Sequence, residues 1–128
     1  MSKALVVDDS RTIRIIIRRI LLELGYEVCE ASNGREALEV LEAEERDVDL
    51  VLVDWNMPVM NGLELLKELR QDSEFCGLKV LMVTTETEME HMKSAMDAGA
   101  DEYVMKPFTR DILLEKLEIV GIVAPARG

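Results

Sequence analysis

Short apolar runs alternate with longer segments of helical periodicity along the whole chain. The runs are Ala4–Val7, Val28–Ala31, Leu50–Val53, Val80–Val83 and Tyr103–Met105. The first, third and fourth are rich in Val and Leu and lack polar alternation. That pattern predicts strands buried on both faces of a parallel sheet.

The intervening segments read as helices. Ile13, Ile16, Ile17, Ile20, Leu21 and Leu24 recur at spacings of three and one, which is one continuous helical face. Ser10 is its expected N-cap and Gly25 its stop. The second helix opens at Asn33, with Glu36 following, and turns Ala37, Leu38 and Leu41 inward. The third repeats that start at Asn61 and Glu64 and carries Leu63, Leu66 and Leu69. The fourth opens at Thr87 with Glu90, a capping box. Met89, Met92, Ala95 and Met96 form its apolar face, and it stops at Gly99. The fifth follows Pro107 and Thr109, with Leu113, Leu117 and Val120 inward.

Strand and helix thus alternate five times, a (βα)5 pattern. Short connections force right-handed crossovers, so the expected architecture is α/β: a doubly wound, five-stranded parallel sheet with helices on both faces. The sequence shows no repeat, low-complexity segment or linker. Residues 1–128 are expected to form a single domain with no effector domain, since about 100–200 residues suit one domain.

Charge narrows the function. Fifteen Lys and Arg against 26 Asp and Glu give a net charge of −11. Such a chain is poorly suited to grip nucleic acid or an anionic membrane through its own field. No stretch has 18 consecutive apolar residues, and no signal peptide is visible. Cys29 and Cys76 fit no metal spacing, which suits reduced thiols in the cytoplasm.

In an open parallel sheet, ligands bind beyond the carboxyl ends of the strands. Strand 1 ends in Asp8-Asp9, strand 3 in Asp54, strand 4 in Thr84-Thr85 and strand 5 in Lys106-Pro107. With strands 1 and 3 adjacent, three carboxylates converge. Like charges ~4 Å apart repel by about 4 kcal/mol at an effective dielectric near 20. A cation is needed to gather them, and hard oxygen ligands without His or Cys suit Mg2+. Carboxylates, Mg2+, one lysine and one hydroxyl together suit a phosphoryl group: the cations neutralise its oxygens and a carboxylate attacks in line. Each feature has an ordinary structural use alone. Asp8 and Asp9 could cap a helix, Asp54 could open a turn, and Lys106 could be a solvated lysine. All of them at one end of one sheet is the informative observation.

Asp8-Asp9, Asp54 within DWNMPVMNG, VLMVTTE and YVMKPF, in this order, resemble the receiver domain of two-component response regulators. The resemblance runs from Lys3 to about Val120. Within that family, DWNMP, Glu86 and Tyr103 are most similar to the single-domain chemotaxis regulators. The resemblance implies a flavodoxin-like sheet in strand order 2-1-3-4-5. It implies that Asp54 is the phosphoacceptor, served by a phosphohistidine on a sensor histidine kinase or a phosphotransfer protein. Asp9, Asp54 and the backbone carbonyl of Asn56 would ligate Mg2+, with Asp8 acting nearby. Thr84 and Lys106 would bind the phosphoryl oxygens. Thr84 and Tyr103 would form the switch, and Asn56 and Glu86 would tune dephosphorylation. The Lys106–Pro107 bond is expected to be cis. The downstream protein target would bind residues 87–120.

The expected role is a phosphorylation-activated cytoplasmic switch, in chemotaxis or as a phosphorelay intermediate, that catalyses only its own phosphorylation and dephosphorylation. Two other classes compete. A Mg2+-dependent phosphatase with an aspartate nucleophile wants a second Asp where Asn56 stands. A flavodoxin-like cofactor binder would have to seat an anionic phosphate beside the carboxylate cluster.

Overall fold

A computed structural model describes residues 3–44, 47–72, 75, 77–85, 89–106 and 108–121. Cys76, Glu86, Thr87 and Pro107 lie outside the described residues. So, with them, do the expected cap of the fourth helix and the expected cis bond.

The strands are β1 (Lys3–Val7), β2 (Glu27–Ala31), β3 (Leu50–Asp54), β4 (Lys79–Thr85) and β5 (Glu102–Lys106). The helices are α1 (Arg11–Glu23), α2 (Gly34–Ala43), α3 (Gly62–Gln71), α4 (Met89–Asp97) and α5 (Arg110–Ile119). All five strands are parallel, in the order β2-β1-β3-β4-β5. Elements, alternation and strand order all agree with the expectation. All five strands run one to three residues longer than their apolar runs, because the ladder continues onto polar residues such as Asp54 and Lys106.

The two-residue period of a strand sends neighbouring side chains to opposite faces. Leu5, Val7, Val51, Val53, Val80 and Met82 face α2, α3 and α4. Ala4, Val6, Leu50, Leu52, Leu81 and Val83 face α1 and α5. This double burial is why β1, β3 and β4 read as unbroken apolar runs. The helix starts at Ser10 and Asn33 form as expected, their side chains accepting from the amides of Ile13 and Glu36, and Thr109 caps α5 by accepting from the Ile112 amide. Asn61 and Glu64 make a reciprocal capping box.

Three expected faces are corrected by the packing. In α1, Ile16 is 46% exposed, because the sheet is met by the narrower stripe Ile17, Ile20, Leu21 and Leu24. In α3 the buried leucines are Leu65, Leu66 and Leu69, while Leu63 lies on the flank and is half-buried. In α4 the expected apolar face is only partly buried. Met96 is 41% exposed, Met92 is half-buried, and the small Ala95 makes the close contact. Among the described residues no helix is long and apolar enough to cross a membrane.

Candidate functional site

Strand register assembles the site. Val7 pairs with Val53, so the next residues, Asp8 and Asp54, emerge side by side at the carboxyl ends of β1 and β3. Asp54 pairs with Val83, which brings Thr84 one step further along. Thr85 pairs with Lys106 on the outer strand. The expected residues therefore meet because a parallel sheet ends all its strands in one direction.

Asp8 is 1% exposed and Asp54 5%, whereas Asp9 is exposed. One carboxylate oxygen from each of the three lies within 4.8 Å of the others. The Lys106 ammonium donates to both buried carboxylates, 3.2 Å to Asp8 Oδ2 and 3.3 Å to Asp54 Oδ1. One ammonium against three carboxylates leaves the site electronegative. Burial, then the charge of Asp8, pushes the Asp54 carboxyl up to about 6; Lys106 opposes this and Asp9 adds to it. Burial pulls the Lys106 ammonium down, but the charges and hydrogen bonds of Asp54 and Asp8 outweigh it and hold the group above the ordinary lysine value.

The walls are fixed by local structure. Asp8 Oδ1 accepts from the Ser10 amide at 2.8 Å, which ties the carboxylate to the start of α1. Trp55, next to Asp54, is pinned through its amide to the Val83 carbonyl and through its carbonyl to the Gly62 amide. A Cβ at Gly62 would stand 2.5 Å from the Asp54 carbonyl oxygen, so only glycine permits this approach. Asn56 is exposed in the loop that follows. In that loop the Met60 amide donates to the Pro58 carbonyl across Val59, whose φ is 68°. Such a tight turn at a β-branched residue is strained.

Thr84 is 2% exposed, and its hydroxyl has no hydrogen-bond partner among the described residues. Buried hydroxyls are ordinarily satisfied. An orphan beside a lysine and three carboxylates fits a site built to receive an oxygen-rich group. The oxygen-only donor set and its excess negative charge fit a hard divalent cation such as Mg2+. Tyr103 is half-buried against the core on the α4 side, and the Lys116 ammonium lies 4.6 Å from its ring centroid. Beside the carboxylates, Ile13, Ile16, Lys106 and Phe108 line a recess of about 370 Å³.

Arg14 is a neighbour of the site that no sequence motif marks. Its guanidinium donates to the Asp8 carbonyl at 2.6 Å and to Glu30 Oε1 at 3.1 Å. It thereby braces the backbone under the carboxylate pair. The available signal was a cation four residues after a helix cap, within a turn of the acidic strand end.

An open parallel sheet with carboxylates, a lysine and a hydroxyl at its carboxyl edge defines a doubly wound α/β domain with a polar site at the strand ends. The family profile described as the response regulator receiver domain matches residues 4–118, and the chain belongs to that family. Chemotaxis protein CheY1 of Helicobacter pylori is 50% identical over 119 residues, covering 92% of this chain and 95% of the relative. A chemotaxis protein CheY homolog of Campylobacter jejuni is 47% identical over the same length, with coverages of 92% and 91%. Among solved structures, chemotaxis protein CheY4 of Vibrio cholerae superposes with a TM-score of 0.84 at 41% identity, covering 94% of this chain and 98% of that one. The chain is thus a homologue of CheY chemotaxis regulators, and homology to them supports a phosphorylation-dependent signalling switch.

Proposed function

We propose that Asp54 accepts a phosphoryl group from a phosphohistidine of a sensor kinase or phosphotransfer protein. One observation carries the reading: a buried carboxylate, hydrogen-bonded to Lys106, stands beside an unpartnered buried hydroxyl at the carboxyl edge of the sheet. An Asp54 oxygen attacks phosphorus in line, the bond from phosphorus to the donor nitrogen breaks, and the imidazole leaves with its electron pair. With a carboxyl value of about 6, Asp54 is mostly ionised at neutral pH and ready to attack.

Asp9, Asp54 and the Asn56 carbonyl would hold Mg2+, with Asp8 close by. When bound, the ion would neutralise charge on the transferring oxygens. Lys106 leaves Asp8 for the new phosphoryl oxygens, and the Thr84 hydroxyl gains its missing partner there. Movement of Thr84 frees space toward which Tyr103 turns, and the surface of α4, β5 and α5 changes. Exposed Met96, Met105 and Ile112 supply apolar contact for a protein target on residues 87–120. The names of the relatives support chemotaxis as the pathway, in which the chain would work in the cytoplasm beside its kinase. Asn56, a poor acid or base, favours a switch that processes only its own phosphate over a phosphatase acting on outside substrates.

The test is phosphorylation of wild type and Asp54→Asn by acetyl phosphate and by a phosphohistidine protein. Wild type should yield an acid-labile phosphoprotein and the variant none. An unchanged phosphoprotein from the variant would move the acceptor elsewhere.

A further inference from the structure

The densest side-chain network away from the carboxylates centres on Arg70, in the last turn of α3. Its Nε donates to the Gly99 carbonyl at 2.9 Å. Nη1 donates to the carbonyls of Phe75 and Leu78 at 3.1 and 2.8 Å. Nη2 reaches Asp101 Oδ2 at 2.9 Å, and that oxygen also accepts from the Val80 amide at 2.8 Å. The Asp101 amide returns a bond to the Val80 carbonyl. One planar guanidinium therefore joins the end of α3, the start of β4, the turn after α4 and the approach to β5. A lysine could not reproduce this fork.

All of these contacts lie at the amino ends of β4 and β5, opposite the phosphoryl site. The turn is shaped for them. Gly99 has φ +105°, and a Cβ there would stand 3.1 Å from Arg70 Cγ. Among the side chains of α4 that the structure describes, the buried one is Ala95, near the C-terminus. Its first turn begins four residues after Thr85, at the carboxyl edge where Thr84 lies. The helix is thus fastened at the far end and packed near that fastening, while its other end adjoins the site.

We propose that Arg70 is a positioning residue: its clamp on the Gly99–Asp101 turn is the fulcrum about which α4 pivots when the site is occupied. A rigid far end converts a small displacement at Thr84 into a tilt of α4, so the output surface responds. With the clamp released, the same displacement dissipates in the turn. The inference rests on the proposed phosphoryl switch, but it concerns residues on which phosphoryl chemistry does not depend.

The test compares amide hydrogen exchange over residues 89–101 in free protein and in protein with Mg2+ and beryllofluoride, an acyl-phosphate mimic. Trp55 emission reports occupancy of the site independently. Wild type should show an occupancy-dependent change at residues 89–93, while residues 98–101 stay protected in both states. In Arg70→Met, Trp55 should still respond, residues 98–101 should exchange at least tenfold faster, and the occupancy-dependent difference at 89–93 should fall at least threefold. Asp101→Asn and Arg70→Lys should give intermediate losses, and they carry the test if Arg70→Met does not fold. A merely structural role would lower stability and leave the difference at 89–93 intact; that result overturns the fulcrum alone. If wild-type Trp55 ignores beryllofluoride, the phosphoryl reading fails, and the fulcrum with it.

Discussion

Lys106 Nζ lies 3.3 Å from Asp54 Oδ1, which links the end of the outer strand β5 to the buried carboxylate of β3. The bond spans a strand, because β4 lies between them. The ammonium does two things there. It favours the ionised form of Asp54 in a buried, like-charged setting, and it connects β5 to any group that Asp54 acquires.

Removing that ammonium should therefore raise the Asp54 carboxyl further. In Lys106→Met the Asp54 value is expected above its wild-type value of about 6, because Lys106 is the group that lowers it. Carbon-detected NMR titration of the Asp54 carboxyl measures this directly. Phosphorylation should persist at a reduced level, and target affinity after activation should fall. An unchanged titration would mean that Lys106 does not act on Asp54 electrostatically.

The raised carboxyl also sets a pH dependence of stability. Asp54 moves from 3.8 to about 6 on folding, so the native state binds protons more tightly than the unfolded chain. Its contribution is most favourable below pH about 4 and is lost as pH rises through about 6. At pH 7.5 without divalent cations the cost is of order 2 kcal/mol, at 1.36 kcal/mol per pKa unit and discounted for residual solvent screening. Asp54→Asn should accordingly be more stable than wild type at pH 7.5, with the difference shrinking toward pH 4. Urea denaturation at the two pH values decides it.

Mg2+ should reverse that cost in wild type. An ion that binds only the folded state stabilises it by RT ln(1 + [L]/Kd), about 2.7 kcal/mol at a hundredfold excess over Kd. Tm should rise with Mg2+ and Trp55 emission should shift, since Trp55 adjoins Asp54 and is 8% exposed. Asp9→Asn should weaken both responses while leaving the metal-free Tm nearly unchanged, because Asp9 is exposed. Equal responses in wild type and Asp9→Asn would remove Asp9 from the site.

Thr84 presents a trade between stability and signalling. Its buried hydroxyl lacks a partner among the described residues, and an unsatisfied buried group costs roughly 1–3 kcal/mol. Thr84→Val deletes the hydroxyl and keeps the β-branched shape. The resting protein should gain about 1 kcal/mol, seen as a higher Tm, while the beryllofluoride-induced change at Tyr103 should largely disappear. A variant that is less stable than wild type, or one that still moves Tyr103, would contradict this role.

The alternation of apolar runs and helical stripes was enough to give the order of elements. Ser10, Asn33 and Asn61–Glu64 marked helix starts correctly because capping is local chemistry, complete within four residues. The clustered carboxylates were legible for a related reason. In a parallel sheet every strand ends in the same direction, so the polar residue closing each apolar run must lie at one edge. Strand order was not legible from the pattern and came from family resemblance, because alternation alone does not say which strands are neighbours.

Tertiary structure decided what depends on distance and on partners remote in sequence. Ile16 and Met96 carry the right periodicity yet are exposed, because each helix meets the sheet along a stripe narrower than its apolar face. Arg14 and Arg70 look like ordinary helix arginines until the chain brings the Asp8 carbonyl to one and Gly99, Phe75, Leu78 and Asp101 to the other. The Asp54 carboxyl value and the unpartnered Thr84 hydroxyl are likewise properties of packing. Periodicity, capping and strand ends are short-range and are written in order along the chain. Burial, charge coupling and hydrogen-bond satisfaction are sums over neighbours that only the folded chain assembles.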